Sequence, residues 1–93
     1  LLCEPKDKFA FEGGKSKTTP AKVWVLIDDA KRTMSRCDSA GCDAYPYSVH
    51  SSGIFTIYSG NPGHFVKITG DQYVEVATAG LTVFVSQGKC SPR

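Results

Sequence analysis

Residues 54–86 read IFTIYSGNPGHFVKITGDQYVEVATAGLTVFVS, and this stretch decides the fold. Four short runs of β-branched and aromatic residues alternate with turn signals, the pattern of an all-β sandwich or barrel. In Ile54–Tyr58, Phe55 and Ile57 alternate against Ile54, Thr56 and Tyr58. Gly60-Asn61-Pro62-Gly63 is a strong turn, because proline fixes one backbone angle and glycine permits the unusual ones. His64–Thr69 sets Val66 and Ile68 against Phe65 and Lys67. Gly70-Asp71 turns the chain into Tyr73–Ala77, where Val74 and Val76 oppose Tyr73, Glu75 and Ala77. Ala79-Gly80 turns it into Leu81–Ser86. Connections this short demand antiparallel pairing, since parallel strands need long crossovers.

The pattern continues toward the N-terminus. Ala21–Asp28 is a strand with apolar residues on both faces: Val23, Val25 and Ile27 on one, Trp24 and Leu26 on the other. It is therefore expected to be central or deeply covered. Leu1–Glu4 and Lys8–Glu12 are strands, and Gly13–Pro20 is a loop. Asp28-Asp29-Ala30-Lys31 is a turn held by aspartate side chains on nearby amides. Arg32–Cys37 is a polar strand, with a short helix over Asp28–Arg36 as the alternative. Cys37–Asp43 is a loop, Tyr45–His50 a strand, and Ser51-Ser52-Gly53 a turn. The expectation is one domain, residues 1–93: a small antiparallel β-barrel or sandwich of seven or eight short strands.

A chain of 93 residues hides roughly 60–65% of its unfolded surface, a modest core that disulfides commonly reinforce. The four cysteines, Cys3, Cys37, Cys42 and Cys90, allow three pairings. The favoured one joins Cys3 to Cys90 and Cys37 to Cys42. In the chain-entropy picture the outer bond contributes about 4–5 kcal/mol and the inner one about 2 kcal/mol. Disulfides imply an oxidising compartment, periplasmic or secreted. The start at Leu1 reads as a mature chain after removal of a signal peptide. The longest apolar run, Val23–Ile27, is far short of a membrane span, so a soluble product is expected.

A net charge of +2 is too mild for nucleic acid. Its distribution is uneven: residues 1–36 carry +3 and residues 37–88 carry −3. Lys15, Lys17 and Lys22 cluster beside Gly13, Gly14 and Pro20. They form either a solvated loop or an electrostatic contact with an acidic surface.

Catalytic patterns are missing from the sequence. His50 adjoins Ser51 and Ser52, but neighbours in sequence do not make a triad, and no G-x-S-x-G elbow occurs. Asp28-Asp29 suits a turn better than a pair of glycosidase carboxyls across a cleft. No phosphate-binding glycine motif is present. Neither enzyme activity nor a cofactor is expected. Zinc is one alternative: Cys37-x4-Cys42 with His50 and His64 supplies four ligands, although the histidines stand 14 residues apart. A second candidate is a binding face of Tyr45 and Tyr47, beside the Cys37–Cys42 loop and near His50, for a protein partner.

Leu1-Leu2-Cys3-Glu4, Val25-Leu26-Ile27-Asp28, Phe65-Val66-Lys67-Ile68 and Gly88-Lys89-Cys90 together resemble small periplasmic or secreted proteins of Gram-negative bacteria, many without assigned function. One characterised group among these is the periplasmic inhibitors of c-type lysozyme, also small antiparallel barrels with a cysteine near each end. That family carries a Ser-Gly followed by a strand pair and a Lys, and the Ser and the Lys reach into the lysozyme cleft. Ser52-Gly53, the strand Ile54–Tyr58 and Lys67 match that order here. Where the family has aromatic-x-Lys-Gly, this chain has Phe65-Val66-Lys67-Ile68, and the Cys37–Cys42 loop is additional. The resemblance implies Ser52 and Lys67 as binding residues. The leading expectation is a non-catalytic binding or structural module, with lysozyme inhibition as the more specific alternative.

Overall fold

The computed structural model describes residues 1–20, 22–60 and 63–92. The chain forms ten strands: β1 (Leu2–Glu12), β2 (Lys15–Thr18), β3 (Trp24–Asp28), β4 (Thr33–Asp38), β5 (Gly41–Pro46), β6 (Ser48–Ser52), β7 (Phe55–Ser59), β8 (His64–Thr69), β9 (Gln72–Ala79) and β10 (Thr82–Ser91). All ladders are antiparallel. They run in the order β5-β4-β3-β1-β10-β9-β8-β7-β6, with β2 paired to β1. The sheet curls into a nearly closed barrel. No helix occurs among the described residues, which removes the helical alternative for 28–36.

Ten strands replace the expected seven or eight for local reasons. Leu1–Glu4 and Lys8–Glu12 are one strand, interrupted by a bulge between Pro5 and Asp7. Proline has no N–H to give to a ladder, so it is accommodated where the ladder is already broken. Gly88 stands opposite Pro5, and a Cβ there would collide with the Glu4 carbonyl oxygen. The 13–20 loop contains β2, which extends the outer half of β1. The 37–43 loop is the β4–β5 hairpin. Pro46 and Tyr47 divide the expected strand 45–50 into β5 and β6, and β6 runs on through Ser51 and Ser52. Leu81 lies in the turn before β10. The turn after Asp28 forms as expected, with Asp28 Oδ1 accepting the Lys31 amide at 3.1 Å. Within the Gly60–Gly63 turn, Asn61 and Pro62 lie outside the described residues, as does Ala21 at the start of the expected third strand.

The core is built from Cys3, Val25, Ile27, Met34, Val66, Ile68, Tyr73 and Cys90, with Tyr45, Tyr47 and Tyr58 packed against it. Both disulfides form as expected, Cys3–Cys90 and Cys37–Cys42. Each joins residues directly opposite in an antiparallel ladder. Cys3–Cys90 faces the core and ties β1 to β10. Cys37 and Cys42 share the outer face with Trp24, which stands opposite Cys37. The sheet ends at β5 and β6, and among the described residues no ladder joins these two strands. Side chains cross the seam instead, above all Tyr45.

Candidate functional site

Strand alternation sends two different sets of side chains to the two faces of the barrel wall. The inward set includes an unexpected polar cluster. On β9 the buried residues are Tyr73, Glu75 and Ala77, while Val74 and Val76 face outward. Glu75 is only 1% exposed, a position a carboxylate occupies only with partners. It has two: His64 Nε2 lies 2.6 Å and Arg36 Nε 2.9 Å from its Oε2. The Tyr45 hydroxyl bonds His64 Nδ1. The Glu75 carboxylate accepts from both His64 Nε2 and Arg36 Nε, and the Tyr45 hydroxyl shares a hydrogen bond with His64 Nδ1.

Burial would raise the Glu75 pKa, but the hydrogen bond from His64 and the positive charge of Arg36 outweigh it. The carboxyl is held below its ordinary value. Lys8 also faces this interior, with its ammonium 5.2 Å from the centre of the Phe84 ring. Its pKa is lowered by partial burial and by Arg36, against the opposing pull of Glu75. Burial chiefly pushes the Tyr45 phenol up to about 12. Tyr45 therefore keeps its proton at neutral pH, the opposite of an activated nucleophile. Chemically, the cluster joins β4, β5, β8 and β9 through hydrogen bonds across the barrel.

The outward set makes a groove of about 690 Å³ floored by β1 and β7–β10. Lys67, Phe55, Lys6, Lys89, Glu4 and Asp7 give it its chemical character. Lys67 Nζ sits 4.3 Å from the centre of the Phe55 ring, a cation–π contact that fixes the side chain. Ser52 stands opposite Phe55 in the β6–β7 hairpin, and Lys67 stands opposite Ile57 across β7–β8. Ser52, Phe55 and Lys67 therefore share one face of the sheet.

The expected tyrosine face is divided. Tyr45 points inward to His64. Tyr47 packs on Tyr58 with ring centroids 5.1 Å apart, and its hydroxyl donates to Asp29 Oδ1 at 2.6 Å. That hydrogen bond is the main reason the Tyr47 phenol rises to about 12. His50 is exposed on β6, on the same face as Ile57.

The four zinc candidates are likewise dispersed. Cys37 and Cys42 are bonded to each other, His50 is at the surface and His64 is interior. Among the described residues no three His, Cys, Asp or Glu side chains converge as metal ligands.

Glu75, Arg36 and Phe55 were not legible as site residues. Alternation in 73–77 offers two faces, and hydrophobicity alone favours placing the valines inside. A lone acid on one strand and a lone histidine on the next was the one available signal. Compared with known protein families, curated proteins and solved structures, the chain matches none.

Proposed function

We propose that the protein is a non-catalytic binding module of an oxidising compartment, periplasmic or secreted, which engages a protein partner through the outward groove around Lys67. The observation that carries this reading is the shared face of Ser52, Phe55 and Lys67, with the Lys67 ammonium fixed over the Phe55 ring. A preset cation beside an aromatic ring and an exposed hydroxyl loses little side-chain freedom on binding. The two disulfides in a small β-fold fit the compartment. The interior cluster supports the non-catalytic part, because its histidine is buried and its tyrosine holds its proton.

A photo-crosslinking side chain in place of Ser52 tests this. In an extract of the native compartment it gives one discrete adduct, which is lost on adding K67E. Adducts that ignore K67E, or none at all, overturn the reading.

A more specific partner is favoured by the same juxtaposition. The lysozyme-inhibitor resemblance points to Ser52 and Lys67 as the inserted residues, and the two stand on one face. The partner is then a c-type lysozyme, whose acidic cleft receives Lys67. Purified protein reduces lysozyme activity on cell walls, and K67E relieves the reduction. Full lysozyme activity in large protein excess sinks this version and leaves the cross-linking test to decide the broader one.

A further inference from the structure

Lys15 and Lys17 of the basic cluster and the most exposed apolar residue have no part in the groove, yet the fold brings them together. β1 turns into β2 at Gly13-Gly14, and β9 turns into β10 at Gly80-Leu81. Phe11 stands opposite Val83 on one side and Ser16 on the other, so the two turns are neighbours at one end of the sheet.

Leu81 is 98% exposed and Phe11 44%. A leucine in a tight turn adds nothing to the core, and polar residues serve such turns better. Behind this tip, Phe65, Val76, Val85 and Phe9 form an outward apolar row across four strands, paired rung by rung. Between the tips lies a shallow hollow lined by Phe11, Val83, Leu81 and Lys15.

Charge at this end has one dominant sign. Lys15 and Lys17 are exposed on β2. Across residues 9–18 and 76–86 the only acid is Glu12.

Projecting apolar side chains with lysines on the adjoining strand match the boundary of an anionic bilayer. Hydrocarbon accepts leucine and phenylalanine, and lipid phosphates attract the ammonium groups. A protein partner fits less well, because lysine is depleted from the centres of protein interfaces. We propose that this end of the barrel docks on an anionic lipid surface. Leu81 and Phe11 enter the headgroup–acyl boundary, and Lys15 and Lys17 meet lipid phosphates. Lys67 and the groove are on a different part of the wall and remain free.

Vesicle flotation of the full chain tests the proposal. The protein floats with vesicles of equal parts phosphatidylcholine and phosphatidylglycerol, and does not float with phosphatidylcholine alone. L81E weakens flotation about tenfold or more, the loss expected when one buried leucine is replaced by a charge. K15E/K17E does the same through the headgroups, and added salt mimics it. I54E has no effect. Ile54 is also exposed, at 77%, but sits in the β6–β7 turn at the other end of these strands. L81E leaves thermal stability unchanged, since its side chain touches little. Equal flotation of wild type and L81E, equal loss with I54E, or no flotation at low salt overturns the proposal. A wild type that ignores vesicles but gives an L81E-sensitive protein adduct overturns it in favour of a protein interface.

Discussion

His64 Nε2 lies 2.6 Å from Glu75 Oε2, although the two residues are not opposite each other in the β8–β9 ladder. His64 faces Ala77 and Glu75 faces Val66, so the bond runs diagonally through the interior. The small side chain of Ala77 leaves room for the imidazole to lean toward the carboxylate.

This arrangement makes stability sensitive to acid. The folded Glu75 pKa is depressed below its unfolded value of about 4.5. Its contribution is therefore full above that value and fades as pH falls through the folded pKa. Glu75→Gln removes the charge that Arg36 and His64 share and costs about 2–4 kcal/mol at pH 7. Urea midpoints measured from pH 7 down to pH 2 show the gap between wild type and E75Q closing in the acid range. A gap that is constant with pH contradicts the assignment.

The contact of Tyr45 on β5 with His64 on β8 depends on a close approach. A Cβ on Gly60 would run into the Tyr45 ring and approach the Met34 Cε. Gly60→Ala thus displaces the ring that reaches His64 and costs about 1–3 kcal/mol. Tyr45→Phe leaves His64 Nδ1 without its hydrogen-bond partner and costs about 1–2 kcal/mol. In a Tyr45→Ala background the collision with the ring is gone, so Gly60→Ala costs less there. A double-mutant cycle in denaturant reads this coupling, and strict additivity refutes the contact.

The two disulfides differ in what reaches them. Cys3 and Cys90 are buried, while Cys42 is exposed. Exchange needs access to a sulfur atom, so limited reduction opens Cys37–Cys42 first. Mass spectrometry after alkylation shows label at 37 and 42 before 3 and 90. C37S/C42S costs about 2 kcal/mol and keeps the fold, whereas C3S/C90S costs about 4–5 kcal/mol, a large part of a small domain's stability.

All four tyrosines resist ionisation. Burial is the leading cause at Tyr45, Tyr58 and Tyr73, and the Asp29 hydrogen bond at Tyr47. Each folded pKa lies above the unfolded value of about 10, so this stabilising contribution is complete below pH 10 and is lost as pH rises through the folded values. Ultraviolet titration of the native protein shows little phenolate at pH 10.5, with the full signal appearing when denaturant is added. Normal native titration of any two tyrosines contradicts the burial described.

Strand class, the disulfide pairing and the antiparallel topology were legible in the sequence because they follow from local signals: period-two alternation, Gly/Pro/Asp turns and cysteine spacing. The strands at 15–18 and 41–46 were not. KSKT is short and polar, and its strand conformation is imposed by pairing with β1. GCDAYP carries glycine, aspartate and proline, which oppose strand formation, and the opposing β4 holds it extended with help from the disulfide. The inward face of β9 was equally hidden. Glu75 can turn inward only because Arg36 and His64, distant in sequence, arrive to meet it. Ser52 and Lys67 were marked by resemblance, while Phe55, which links them, carried no signal beyond its place in a strand.

The Cys3–Cys90 bond also decides how the domain carries a mechanical load. The two residues face each other across β1 and β10, and their Cα atoms are 3.9 Å apart. Tension applied outside them, at Leu2 and Ser91, runs directly through the sulfur–sulfur link. The 86 residues between the two cysteines stay slack and folded. In an oxidising compartment a pull on the ends stretches a bond, not a barrel, and the same pull after reduction unzips the β1–β10 ladder first.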